Sequence, residues 1–84
     1  MLKRSIRISN KEGLHARTLT LFVKNVSIYK SQILISKKNA KINGKSIMGL
    51  CSISISEGDI IEIEVSGVDE EIAMNKIIEF LDML

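Results

Sequence analysis

The stretch Ile61-Glu62-Ile63-Glu64-Val65 alternates strictly between apolar and acidic residues. Successive side chains of a strand point to opposite faces, so it reads as a strand with Ile61, Ile63 and Val65 on a dry face and Glu62 and Glu64 on a wet one. A sheet that is wet on one side must bury the other against a second layer. The same period of two recurs in residues 5–9, where Ile6 and Ile8 alternate with Ser5, Arg7 and Ser9 before Asn10 and Gly13 mark a loop. The apolar run Ile33-Leu34-Ile35 within residues 32–36 gives a third strand. Residues 40–43 return as its hairpin partner around Lys38-Asn39.

The covering layer is legible from a different period. Apolar residues at 16, 19, 22, 23 and 26 make one helical stripe starting at Ala16. Asp69 is placed to cap a last helix, with Glu70 and Glu71 in a first turn that favours carboxylates, and Ala73, Ile77, Leu81 and Leu84 along its buried face. Residues 46–56 admit two readings, a short helix capped by Ser46 and running through Cys51, or a strand from the alternation of Ser52-Ile53-Ser54-Ile55-Ser56. The expected fold is α/β (α+β), an open-faced two-layer sandwich in which the helices lie on the dry face of the sheet.

Size and composition exclude several functions. At 84 residues, without proline, repeats or a Ser/Gly-rich linker, residues 1–84 read as one domain whose small core argues against a buried cofactor. One cysteine and one histidine cannot form an internal disulfide or an ordinary zinc site, so no metal is expected, and a reducing, cytoplasmic setting fits. Cys51 itself is expected to be a small buried apolar residue. No apolar run approaches the roughly 20 residues that span a bilayer, and the start has no secretory pattern, so neither export nor membrane insertion is expected. The charge is lopsided. Residues 1–45 hold eleven Lys and Arg against Glu12 alone, and residues 46–84 hold one Lys against nine acids. A basic half suggests nucleic acid, but Phe22, Tyr29 and Phe80 all fall outside the strands, where a sheet-based RNA reader needs its stacking aromatics. No nucleic-acid partner is expected.

Gly13-Leu14-His15-Ala16-Arg17 stands where a loop enters the first helix. A helix N-terminus presents unpaired N–H groups and partial positive charge, so it attracts phosphate and disfavours a protonated imidazole. A histidine placed there tends to stay nucleophilic, Arg17 offers a fork for phosphate oxygens, and Gly13 permits an unusual turn before them. These residues make either a phosphoryl-accepting site or a polar helix cap beside a solvated arginine. Ser46 is likewise either an ordinary cap or a position where added phosphate would be held by the helix end.

The run from Asn10 to Arg17, followed by Leu21-Phe22-Val23, by Lys45-Ser46-Ile47-Met48-Gly49-Leu50, by Glu57-Gly58-Asp59 and by Gly67-Val68-Asp69-Glu70-Glu71, closely resembles the histidine-containing phosphocarrier (HPr) family of the bacterial phosphotransferase system over the whole chain. The resemblance implies a four-stranded antiparallel sheet with three helices on one face, the second beginning near Ser46. It implies that His15 accepts a phosphoryl group at Nδ1 from enzyme I and passes it to enzyme II A domains. Arg17 would steady that group, and the first turn at Ala16, Arg17 and Thr18 would bind its phosphate. Ser46 matches a regulatory site served by an ATP-dependent kinase and phosphorylase and read by a catabolite-control transcription factor. Ile47, Met48 and Leu50 leave at least one apolar side chain outside the buried face of a one-turn helix, which suits partner docking at Ile47 and Met48, while core packing explains part of them equally well. A monomer is expected.

The alternative within the family is a regulatory module acting mainly through Ser46. The family usually has proline after the arginine, and here the residue is Thr18, which can adopt the same backbone angle while adding an N–H and a hydroxyl. The helix start is expected to survive, with altered transfer rate or phosphohistidine lifetime. If the first strand neighbours the Glu62–Glu64 strand, Lys3 and Arg7 would face those glutamates, leaving Arg17, Lys24 and Lys45 as a basic patch around the site.

Overall fold

The computed structural model describes residues 1–84. The elements are β1 (Leu2–Arg7), α1 (Ala16–Val26), β2 (Gln32–Lys37), β3 (Ala40–Asn43), α2 (Ile47–Ser52), β4 (Ile60–Ser66) and α3 (Glu70–Asp82). All strand pairings are antiparallel, in the order β1-β4-β2-β3. The alternation in β4 sets the register of the whole sheet. Ile61, Ile63 and Val65 face the helices with Ile33 and Ile35 of β2 opposite them, and all five are essentially inaccessible. A one-residue slip would bring Glu62 and Glu64 into that layer. Leu19, Phe22, Val23 and Val26 of α1, Leu50 of α2, and Ala73, Met74 and Ile77 of α3 complete the core. The Phe22 and Phe80 rings meet edge to face at 5.6 Å, joining α1 to α3.

Residues 46–56 resolve as α2 through Ser52 followed by an extended connection. Ile55 of that connection forms an isolated antiparallel bridge with Leu14. No helix is long and apolar enough to cross a membrane.

Several expectations are corrected. Ala16 begins α1 but is exposed, because the first turn overhangs the end of the sheet and the buried stripe starts at Leu19. Leu84 lies beyond the end of α3 and is also exposed. Cys51 is exposed because α2 is only six residues long and turns a single residue, Leu50, fully inward. Asp69 holds the N-cap position of α3 without capping it. Its carboxylate accepts the Lys30 N–H (2.8 Å), the Ser31 N–H (2.9 Å) and the Ser31 hydroxyl (2.5 Å), tying the start of α3 to the turn before β2. Glu70 takes over the local work, accepting the Gly67 N–H at 3.1 Å.

The charged halves interleave in space. Glu64, with a side chain only 10% exposed, lies between Lys3 on β1 (3.3 Å) and Lys41 on β3 (3.2 Å). Lys37 at the end of β2 pairs with Asp59 at 2.8 Å. Arg7, expected to face a glutamate, stands opposite Ile60 and makes no ion pair, while Ser5 stands opposite Glu62.

These partners hold four carboxyl groups below their usual range. For Glu64 the causes are the Lys41 and then the Lys3 ammonium, and for Asp59 the Lys37 ammonium and then the Ser56 N–H. The Ser31 hydroxyl and the Lys30 N–H act on Asp69, and the Gly67 N–H and the N-terminal ammonium act on Glu70. A carboxyl group depressed in the fold stabilises it above the unfolded value of about 4 and loses that contribution as pH falls through its folded value. The melting temperature should therefore fall steeply as pH drops from about 5 to about 2. Glu64→Gln should shallow that fall in calorimetric scans, and an unchanged acid slope would contradict the role of the Glu64 pairs with Lys3 and Lys41.

Candidate functional site

The turn into α1 is built by residues 10–14. Asn10 Nδ2 donates to the Gly13 carbonyl at 2.7 Å, and the Gly13 N–H returns to the Asn10 carbonyl at 3.1 Å. Gly13 has a φ of 63°, in the left-handed region, and a Cβ there would lie 2.5 Å from the Ile55 carbonyl oxygen. Only glycine meets both demands. The next residue, Leu14, donates its N–H to that same carbonyl at 2.9 Å, fastening the turn to the connection between α2 and β4.

His15 is the N-cap residue of α1, with extended backbone (φ −101°, ψ 177°), and its side chain is 44% exposed. The ring does not cap the helix. Nε2 instead lies 3.2 Å from Glu12 Oε2, with the Thr18 hydroxyl 3.4 Å from the same nitrogen. A carboxylate only accepts, so Nε2 donates to Glu12, and in the neutral ring this leaves the lone pair on Nδ1. Glu12 was not singled out from the sequence. Its signal is its place three residues before His15, across the turn that Gly13 makes.

The first helical hydrogen bond of α1 runs from the Leu19 N–H to the His15 carbonyl, so the N–H groups of Ala16, Arg17 and Thr18 precede it. With Arg17, exposed and outside every ion pair, they give the first turn of α1 N–H donors and an unpaired cation. Thr18 occupies the helical position that proline would hold, and α1 starts intact. A groove of about 340 Å³ opens beside His15, bounded by Glu12, Leu14 and Ala16 on one side and by Cys51, Ser54 and Ile55 on the other.

Ser46 accepts the Gly49 N–H on its side chain at 3.0 Å and is the N-cap of α2. A Cβ at Gly49 would lie 2.5 Å from Ile42 Cγ2, so glycine lets α2 settle against β3. Ile47 and Met48 are exposed, Met48 at 85%, whereas Leu50 is buried. The basic residues do not ring His15. Lys24 is two turns along α1 from Arg17, roughly 10 Å on. Lys45 is drawn beyond the far end of α1, where its ammonium donates to the Tyr29 carbonyl.

A family profile described as "PTS HPr component phosphorylation site" matches residues 2–83. The phosphocarrier protein HPr of Neisseria meningitidis serogroup A is 43% identical over 82 residues, covering 98% of this chain and 92% of the relative. The HPr-like protein Crh of Halalkalibacterium halodurans is 39% identical over 82 residues, 98% of each chain. Among solved structures, the crystal structure of HPr-C-His from Thermoanaerobacter tengcongensis superposes with a TM-score of 0.93 at 41% identity, covering 98% of this chain and 92% of that one.

Gly13→Ala tests the construction of the turn. It combines a left-handed angle with a backbone collision, so destabilisation of about 2 kcal/mol or more is expected in denaturant unfolding. The amide signals of Leu14, His15 and Ile55 should move together. A variant as stable as the parent, with those signals unmoved, would contradict the close approach.

Proposed function

This chain belongs to the HPr phosphocarrier family, and on that premise we propose that it relays a phosphoryl group through His15 within the phosphoenolpyruvate-dependent sugar phosphotransferase system. The observation that carries the reading is the placement of the His15 ring, exposed at the head of α1 with Nε2 engaged by Glu12 and Nδ1 free. Charged enzyme I presents its phosphoryl group to Nδ1. The Nδ1–phosphorus bond forms as the bond to the donor breaks, and the exchange reverses onto the A domain of a sugar permease. The Arg17 guanidinium and the N–H groups of Ala16, Arg17 and Thr18 receive the phosphoryl oxygens, where their charge is worth most as the transfer proceeds. Such a chain is a stoichiometric carrier, spent once per transfer and restored by the next. Residues 1–84 work as one HPr-like domain and as a monomer, in the cytoplasm.

Regulation through Ser46 is part of the same proposal, supported by its cap geometry and by the similarity to the HPr-like protein Crh. A serine kinase using ATP would add about −1.5 to −2 charges beside Ile47 and Met48 without unfolding α2, since the helix end accommodates the phosphate. The charge repels acidic partner surfaces that α1 would otherwise attract through Arg17 and Lys24. A catabolite-control transcription factor is the class of partner that reads the modified serine. If ATP and such a kinase yield an acid-stable phosphate while enzyme I yields no acid-labile one, the chain is instead a regulatory module acting through Ser46.

Incubation with phosphoenolpyruvate and enzyme I should give an acid-labile adduct of one phosphoryl group per chain, read by mass spectrometry before and after acid treatment. His15→Ala should abolish it, and Arg17→Ala should slow its formation by about 10- to 100-fold. Persistence of the adduct in His15→Ala would overturn the assignment. Ser46→Asp should raise the KM of enzyme I for this chain by about tenfold and leave kcat within about twofold, an effect that shrinks as salt is added.

A further inference from the structure

The groove wall opposite His15 is held by a residue that no part of the phosphoryl-transfer reading uses. Ser54 has a φ of 46°, one of two non-glycine residues in the left-handed region, and it lies immediately before Ile55, the residue on which the His15 turn rests. An L side chain adopts this conformation reluctantly, so the surroundings must hold it there. The side chain that reaches it is Lys37. Its ammonium donates to the Ser54 carbonyl at 2.6 Å, approaches the Ile53 carbonyl at 3.4 Å, and lies 2.8 Å from the Asp59 carboxylate. Asp59 also accepts the Ser56 N–H at 2.7 Å. The Lys37 side chain is only 19% exposed, so it is a packed strut between the end of β2 and residues 53–59.

We infer that Lys37, braced by Asp59, is a positioning residue for phosphoryl transfer, holding the left-handed turn at Ser54 and through it the height of Ile55 beneath Leu14 and His15. The chain of contacts is continuous: Lys37 to the Ser54 carbonyl, Ser54 to Ile55, the Ile55 carbonyl to the Leu14 N–H, and Leu14 to His15. The close approach of Gly13 to the same Ile55 carbonyl leaves the turn little room to ride up or down independently. The inference rests on His15 being the phosphoryl acceptor, and its mechanism is geometric, because displacing a nucleophile by a fraction of an ångström is costly for in-line transfer.

The test compares Lys37→Met, Lys37→Met with Ser54→Gly, and Asp59→Asn in the full chain, using two readouts. One is the kcat/KM of phosphoryl transfer from enzyme I. The other is the nitrogen and proton shifts of the His15 ring in the free protein, which need no partner. Lys37→Met should lower kcat/KM by about tenfold, mainly through kcat, and shift the ring signals. Adding Ser54→Gly should restore both to within about twofold, because glycine takes the left-handed angle unaided. A folded Lys37→Met chain with parental rate and ring shifts would overturn the inference, and so would a double variant as slow as the single one. Should Lys37→Met not fold, Asp59→Asn carries the test. A loss of about threefold with shifted ring signals is expected, and parental values overturn the inference. If the parent chain accepts no phosphoryl group at all, the carrier reading fails, whereas the ring shifts still report whether Lys37 positions His15.

Discussion

Where the chain enters α1, the Leu14 N–H donates to the Ile55 carbonyl, and Gly13 passes so near that carbonyl that no side chain fits between them. This contact joins two loops 41 residues apart and sets where the first turn of α1 starts relative to the sheet. The position of the His15 ring, the direction of the unpaired N–H groups and the groove beside them all follow from it. The core supplies the platform, since Leu14 and Ile55 are both buried in the same apolar cluster as Leu19 and Leu50. Apolar burial therefore carries a polar, exposed site on its rim, and rigidity is obtained where a loop alone would give little.

Electrostatics divides into two jobs done by different residues. Acids of the second half pair with bases of the first across the sheet, as Glu64 does with Lys3 and Lys41, and these pairs serve the fold. Arg17 is outside every such pair and stands exposed in the first turn of α1, two residues after His15. Glu12 is the one acid of the first half, and it is spent on the histidine. A hydrogen on Nε2 is what its carboxylate can accept, which favours the tautomer with the lone pair on Nδ1.

Much of this was legible in the residue pattern, because period and burial are tightly coupled in a sheet covered on one side. The alternation of β4 and the stripe of α1 place Ile63 and Phe22 correctly, and the Ser46 cap needed only local geometry. The failures share a cause, which is that the deciding partner is distant in sequence or the element too short. Asp69 looked like a cap because caps are local, yet Lys30 and Ser31 claim its carboxylate from nearly 40 residues away. Cys51 looked buried by type, but a six-residue helix has room for one inward residue and Leu50 takes it. Ser54 carries no sign in its side chain of a left-handed backbone, and Lys37 none of its reach to it. The similarity to HPr proteins covers the fold and family, and it does not by itself explain these residues.

Identifying the phosphorylated ring nitrogen probes the site most directly. Protein carrying nitrogen-15 in its histidine ring, charged by enzyme I and phosphoenolpyruvate, should show phosphorus coupled to Nδ1, with Nε2 keeping its hydrogen toward Glu12. Phosphorus bound to Nε2, or a ring that stays unmodified while another residue gains the phosphate, would contradict the arrangement proposed for His15.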